Sequence, residues 1–291
     1  MILVLTGATA TGKSKIAISL AKRLGGAVVN ADAFQVYRDL HIATAMPSEE
    51  ERLSVPHFLF DFVPLDSSYS AFEYQGDLRS VIAELSSRDV PIIIAGGTGL
   101  YIRAGLYDYE FPPEKEVDLS AYEKMDDDTL YRALLAMDEA SAKATHPHNR
   151  VRVMRAIKVF LSTGQRKSDL VASQEHKPLY DVRFFGLQAD REPLYERVNA
   201  RVDAMFEAGL VEENKRLVDR FGRSCAAFRA IGVKELFPYF DGIKTLEECK
   251  EDIKKNTRHY VKRQETFFRN QFDIEWVRGE EEILRTLYKS E

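Results

Sequence analysis

A hydrophobic run, Met1-Ile2-Leu3-Val4-Leu5-Thr6, passes straight into Gly7-Ala8-Thr9-Ala10-Thr11-Gly12-Lys13-Ser14, and helical spacing follows over residues 14–24. No other feature of the chain limits its fold so tightly. Strand, glycine-rich loop and helix in this order make a phosphate-binding loop. The glycines let the backbone curl until successive N–H groups point into one hollow. The helix N-terminus adds partial positive charge, and Lys13 adds a full one. The Ser14 hydroxyl is placed to hold Mg²⁺. A diphosphate or triphosphate, accompanied by Mg²⁺, is the expected ligand of residues 7–14. The loop leaves open whether that diphosphate is a cofactor, a donor or a leaving group.

The first hundred residues alternate strand and helix. Residues 27–31 are a short apolar run ending at Asp32, and residues 55–63 hold a second, with Asp61 near its end. Residues 70–88 have helical spacing, with Phe72, Val81, Ile82 and Leu85 as expected buried positions. Residues 90–95 read as a buried strand that breaks at Gly96-Gly97-Thr98-Gly99 and enters a helix. Such alternation implies parallel strands joined by right-handed crossovers. The expected fold is α/β, a P-loop NTPase-like parallel sheet flanked by helices. Ligands of such sheets sit beyond the carboxyl ends of the strands, so Gly7 to Ser14, Asp32 and the Gly96 turn should converge.

Between residues 108 and 180 the strand signal fades and helical stretches appear near 128–137 and 151–163. We read this as a helical insertion. The catalytic core is then expected over 1–107 and 181–291, with a strand at 181–187, helices over 191–221 and 246–270, and a last strand at 272–277.

At 291 residues the chain is long enough for one large domain or two smaller ones. No apolar run reaches the roughly 18 residues of a membrane span. The strand begins at Met1, so neither signal nor transit peptide is expected, and the reading is cytoplasmic. Cys225 and Cys249 are too far apart for a zinc knuckle and read as reduced core thiols. His57, His146, His148 and His259 have no metal-ligand spacing. The net charge is −5, yet no acidic residue occurs from Ala140 to Ser168, a window holding Lys143, Arg150, Arg152, Arg155, Lys158, Arg166 and Lys167. A second basic stretch holds Lys250, Lys254, Lys255, Arg258, Lys262, Arg263 and Arg269. Basic surfaces on an acidic protein point to a local polyanion site.

Asp32 has three competing roles: to hold Mg²⁺ through water, to act as a general base, or to cap a helix. Gln35 and Tyr37 nearby favour substrate recognition, since an amide can bond a base edge and a ring can stack. The strand that ends in Gly96-Gly97-Thr98 would end in a Mg²⁺-holding acid in a nucleotide hydrolase. Here the glycines are expected to admit a ligand closely. An arginine from the pairs Arg152/Arg155 or Arg197/Arg201, or from Arg258 and its helix neighbours Lys262 and Arg269, could grip the diphosphate. The spacing does not choose among them; Arg201 is the expected diphosphate ligand.

The chain resembles bacterial tRNA dimethylallyltransferases, also called tRNA isopentenyltransferases, nearly end to end. The ordered motifs are Gly7 to Ser14; Asp32-Ala33-Phe34-Gln35-Val36-Tyr37; Ile42-Ala43-Thr44-Ala45-Met46-Pro47; Pro56-His57 with Asp61; Tyr69-Ser70-Ala71; and Gly96 to Tyr101. They continue with His146-Pro147, then Arg152 and Arg155; Ala230-Ile231-Gly232 with Lys234; and Thr257-Arg258, Tyr260 and Lys262-Arg263-Gln264. The resemblance implies transfer of a dimethylallyl group from its diphosphate to the exocyclic amine of an adenosine beside the tRNA anticodon. The phosphate loop would hold the departing diphosphate, with Lys13 and Mg²⁺ on Ser14 neutralising its charge. Asp32 would accept from the amine and Thr98 would contact the substrate from the opposite wall; with Lys13 these form the expected catalytic set.

The resemblance also implies tRNA contacts at Asp32, Ala33, Phe34, Gln35 and Thr98; at Val151, Arg152, Val153, Met154 and Arg155; and at Phe228, Arg229, Ala230, Ile231, Gly232, Val233, Lys234 and Glu235. The chain departs from the family pattern at Ala33, Met46, His148 and Val233. The partners expected are the tRNA anticodon stem-loop and dimethylallyl diphosphate, with no membrane and a single chain sufficing. The rival readings are a small-molecule kinase using ATP and a nucleotide-switched RNA-binding module.

Overall fold

The computed structural model describes residues 1–288. The chain divides into two compact units, one formed by Met1–Leu106 with the chain from Pro178 onward, the other by Tyr107–Lys177.

The first unit is built on six strands: β1 (Ile2–Gly7), β2 (Ala27–Asn30), β3 (His57–Phe58), β4 (Ile92–Ala95), β5 (Val182–Leu187) and β6 (Glu275–Val277). All pairings are parallel, in the order β3-β2-β4-β1-β5-β6. Together with its flanking helices this is a P-loop NTPase-like sheet. Every residue of β1, β2 and β4 is buried, as expected for parallel strands covered on both faces. Ala95 lies level with Leu5 on one side and Asn30 on the other. The loops that follow β1, β2 and β4 therefore leave the sheet at one edge and at one height.

Helix placement follows local chemistry. The Lys13–Leu24 helix starts at Gly12 and stops at Gly25, both in the left-handed region, with φ of 92° and 64°. Its inner face, Ala17, Ile18, Leu20 and Ala21, packs on Leu3, Leu5, Val28 and Ile93 of the sheet. Ser70 and Glu73 form a capping box that starts the Ala71–Ser86 helix, and Thr245 and Glu248 do the same for Leu246–Gln271. Residues 55–63 carry only the two-residue β3. Phe72 is 61% exposed, and Tyr74 and Leu78 take the buried face with Ile82 and Leu85. The expected continuous helix over 191–221 is two, Arg191–Glu207 and Leu210–Phe221, because Gly209 adopts φ 96° and breaks the hydrogen-bond ladder.

The second unit is helical. Its longer helices, Asp127–Met137 and Arg150–Thr163, enclose Leu130, Leu134, Ala142, Val153, Ala156 and Ile157. Asp138 is buried here and joins three segments: its carboxylate accepts from Ser141 N–H at 3.0 Å, Ser168 N–H at 3.0 Å and Ser168 Oγ–H at 2.7 Å. Cys225 and Cys249 are free thiols.

Candidate active site

The phosphate loop closes on itself through its lysine. Lys13 Nζ donates to the Gly7 carbonyl at 3.0 Å and the Ala8 carbonyl at 2.7 Å, and Thr11 Oγ1 donates to Ala8 at 2.8 Å. Burial, and then the nearby Arg201 guanidinium, pull the Lys13 ammonium down to about 7; Asp32 pulls the other way. Arg201 comes from the Arg191–Glu207 helix and approaches Thr9 Oγ1 at 3.4 Å and the Ala45 carbonyl at 3.5 Å. Burial lowers its pKa too, opposed by Asp32. A carboxylate thus stands beside two cations whose charge its own field sustains.

Asp32 follows β2 by two residues and is held on both sides. Its N–H donates to Asn30 Oδ1 at 2.8 Å, and its Oδ1 accepts the Phe34 N–H at 2.9 Å. Thr98 Oγ1 accepts the Ala33 N–H at 2.9 Å. Thr98 is therefore turned toward the Asp32 loop and is not among the residues lining either cavity described below.

Two cavities meet at Asp32. One, about 390 Å³, is lined by Thr9, Ala10, Gly12, Lys13, Ser14, Gln35, residues 44–47, Gly96, Gly97, Arg197, Tyr260 and Gln264 as well as Asp32 and Arg201. The other, about 220 Å³, shares Thr9, Asp32, Thr44, Ala45, Arg201 and Tyr260, then runs on among Phe34, Val198, Val202, Met205, Arg229, Ala230, Ile231, Lys234, Ile253 and Arg263. The first is walled by the 9–14 loop with Lys13 and by Arg197 and Arg201. The second is walled largely by apolar side chains with cations at Arg229, Lys234 and Arg263.

No group of three or more His, Cys, Asp or Glu forms a metal cage among the described residues. Ser14 offers a hydroxyl and Asp32 a carboxylate at the same cavity. Such a sparse oxygen set fits Mg²⁺ that keeps several waters and is bound mainly through substrate phosphates.

Of the residues expected to touch tRNA, Arg229, Ala230, Ile231 and Lys234 line the second cavity. Phe228, Gly232, Val233 and Glu235 are turned inward. Glu235 accepts from the Gly232 N–H and from Asn256 Nδ2, each at 2.9 Å. Val151, Arg152, Val153, Met154 and Arg155 belong to the helical unit, where Val151, Arg152 and Arg155 are exposed and Val153 is in the core. The window lacking acids in sequence does not lack them in space. Arg150 pairs with Asp127 at 3.0 Å, Lys143 with Glu139 at 2.7 Å, and Arg155 and Lys158 with Glu114. Arg152, Arg166 and Lys167 form no ion pair among the described residues.

The Gly96-Gly97-Thr98-Gly99 turn, whose Gly96 and Gly97 line the first cavity, also makes room within the chain. Its glycines admit the chain's own atoms: a Cβ on Gly96 would meet the Ala31 backbone, one on Gly97 the Gln264 amide, and one on Gly99 the Phe267 ring. Gln264 and Tyr260, on the Leu246–Gln271 helix, are site residues that only the resemblance had touched. Glu213 is another. Its buried carboxylate accepts from three successive N–H groups, His41, Ile42 and Ala43, at 2.9–3.1 Å, and so holds the 41–47 loop that walls the first cavity. Lone polar residues in a helical pattern gave no signal of this role.

A parallel sheet with a glycine-rich loop after β1 and a carboxylate facing it defines a P-loop NTPase-like α/β protein. The chain belongs to the IPP transferase family, whose model matches residues 35–271. It is 44% identical over 277 residues to the tRNA dimethylallyltransferase of Anoxybacillus flavithermus, covering 94% of this chain and 89% of that protein. Its structure is similar to the tRNA delta(2)-isopentenylpyrophosphate transferase of Staphylococcus epidermidis, with TM-score 0.74 and 35% identity over 100% of this chain and 99% of that one. It is also similar to a eukaryotic dimethylallyltransferase acting on tRNA, with TM-score 0.80 and 30% identity over 91% of this chain and 69% of that one.

Proposed function

We propose that the protein transfers a dimethylallyl group from dimethylallyl diphosphate to the exocyclic N6 amine of the adenosine 3′ of the tRNA anticodon, releasing diphosphate. The observation that carries this reading is the position of Asp32 at the junction of a phosphate-binding cavity and a second, largely apolar cavity. A hydrolase would need only the first.

In the reaction the carbon–oxygen bond to diphosphate breaks as the N6–carbon bond forms, and one N6 proton is lost. Asp32 keeps Oδ2 for that proton because Oδ1 is engaged by Phe34. Lys13, the loop N–H groups and Arg201 take up the charge that builds on the departing diphosphate. Mg²⁺, held through Ser14, would add to that neutralisation. Thr98 supports the set through Ala33. The adenine must leave its stack to reach Asp32, at a cost of a few kcal/mol. Arg229, Lys234 and Arg263 at the second cavity suit a nucleic-acid backbone, and the exposed arginines of the 107–177 unit suit the anticodon stem. A single chain is taken to suffice, and a tRNA substrate supports a cytoplasmic location. No described helix is long and apolar enough to cross a membrane.

The test is transfer of label from dimethylallyl diphosphate to unmodified tRNAs that read codons beginning with U, with ATP as a parallel ligand. Prenylated adenosine is the expected product. ATP consumption without prenylation would overturn the reading.

A further inference from the structure

One buried side chain ties two of the loops at this edge together. Gln264 is 4% exposed. Its Oε1 accepts the Thr9 N–H at 2.8 Å, and its Nε2 donates to the Gly97 carbonyl at 3.2 Å. Tyr260, one turn earlier on the helix, donates to the same carbonyl at 3.5 Å. From there the bonds continue to Asp32: the Thr98 N–H donates to the Ala31 carbonyl at 3.0 Å, and Thr98 Oγ1 accepts the Ala33 N–H at 2.9 Å. Both neighbours of Asp32 are thus fastened to the residue after Gly97.

Two further features make the link specific. The absence of a side chain at position 97 is what admits the amide, since a Cβ there would lie 2.0 Å from Gln264 Nε2. The Thr9 N–H, part of the phosphate loop, points at Gln264 instead of the hollow. The amides of Lys13 and Ser14, at the start of the helix, remain available to phosphate oxygens. A buried amide whose donor and acceptor ends serve two different loops holds their spacing, because either bond lost leaves a polar group unsatisfied.

We propose that Gln264 is a positioning residue that sets the separation between the phosphate loop and Asp32, and so aligns the leaving diphosphate with the attacking amine. Misplacement by about 1 Å can cost on the order of a hundredfold in rate without changing what is bound. The kinetic arm of the test rests on the transfer reading above; the exchange arm does not.

Gln264→Leu keeps the volume and removes both bonds. Gly97→Ala disturbs the same contact from the other side and guards against a folding defect in the first variant. In the wild-type protein, inorganic diphosphate with Mg²⁺ should slow hydrogen exchange at residues 30–35 and 96–99 by at least about threefold. Both variants should bind inorganic diphosphate within about threefold of wild type, yet fail to slow exchange there. For transfer, kcat should fall roughly 10- to 100-fold with KM little changed. The double variant should be no slower than the slower single one, since both break one contact. The proposal is overturned if the variants still transmit the protection with kcat near wild type. It is also overturned if kcat falls only together with diphosphate affinity, which would make Gln264 a prop of the loop alone.

Discussion

Asp32 is fastened by Asn30, by the Phe34 amide and, through Ala33, by Thr98. Such restraint suits a base, which must meet its proton at a set place. Asp32→Asn keeps the size and an acceptor for Phe34 but removes the base. Its transfer rate should fall by about a hundredfold or more while inorganic diphosphate binds within about threefold of wild type, read by single-turnover label transfer and calorimetry. A comparable rate would remove Asp32 from the base role. Lys13, held near 7 by burial and Arg201, carries a second prediction. Its charged form is needed for diphosphate and is lost from the free protein as pH rises past 7. Diphosphate affinity should therefore weaken from pH 7 to 9, and Lys13→Arg, whose guanidinium stays charged, should flatten that dependence. The sign for stability is the reverse. Between about 7 and 10.5 the unfolded chain holds a proton the folded chain lacks, so this group favours folding more as pH rises through that window.

Elements here depend on single polar residues at their joints. Asp138 caps the Glu139–Lys143 helix and also receives Ser168 from the start of the Lys167–Ala172 helix. Burial pushes its acid upward, and the bonds from Ser141 and Ser168 outweigh that, holding it at about 2. Asp138→Ala should cost the helical unit about 2 kcal/mol, seen as faster hydrogen exchange across residues 107–177. In the wild-type protein this contribution is present above about 3.8 and disappears as pH falls through 2. The broken helix at Gly209 teaches a related lesson. Apolar spacing continues through it on both sides, so periodicity alone runs the two helices together. The left-handed turn is a property of one backbone position that spacing does not encode.

For the molecule as a whole, the proposed tRNA affinity should follow the charge that is left unpaired. Arg152 has no acidic partner among the described residues, while Glu114 holds Arg155 and Lys158. Arg152→Ala should weaken tRNA binding at low salt and make the salt slope shallower by about one, more than Arg155→Ala does. Glu114→Gln should tighten binding and steepen the slope, measured by filter binding across a salt series. An unchanged slope in all three would remove this face from the tRNA interface. The phosphate loop, the alternation of parallel strands and the acid at the end of β2 were legible from sequence because each is a local pattern of a few residues. The amide that reaches Thr9 from 255 positions away, the carboxylate of Glu213 under the 41–47 loop and the pairing of the basic window with Glu114 were not. By itself, the sequence determined the loop's place after β1, the sheet and the identity of the base candidate, since backbone curvature, burial of apolar runs and capping act over short spans. Only the tertiary structure decided which glycines make room for the chain's own atoms, which cations remain free and which side chain spaces the loops, because those depend on where distant segments pack.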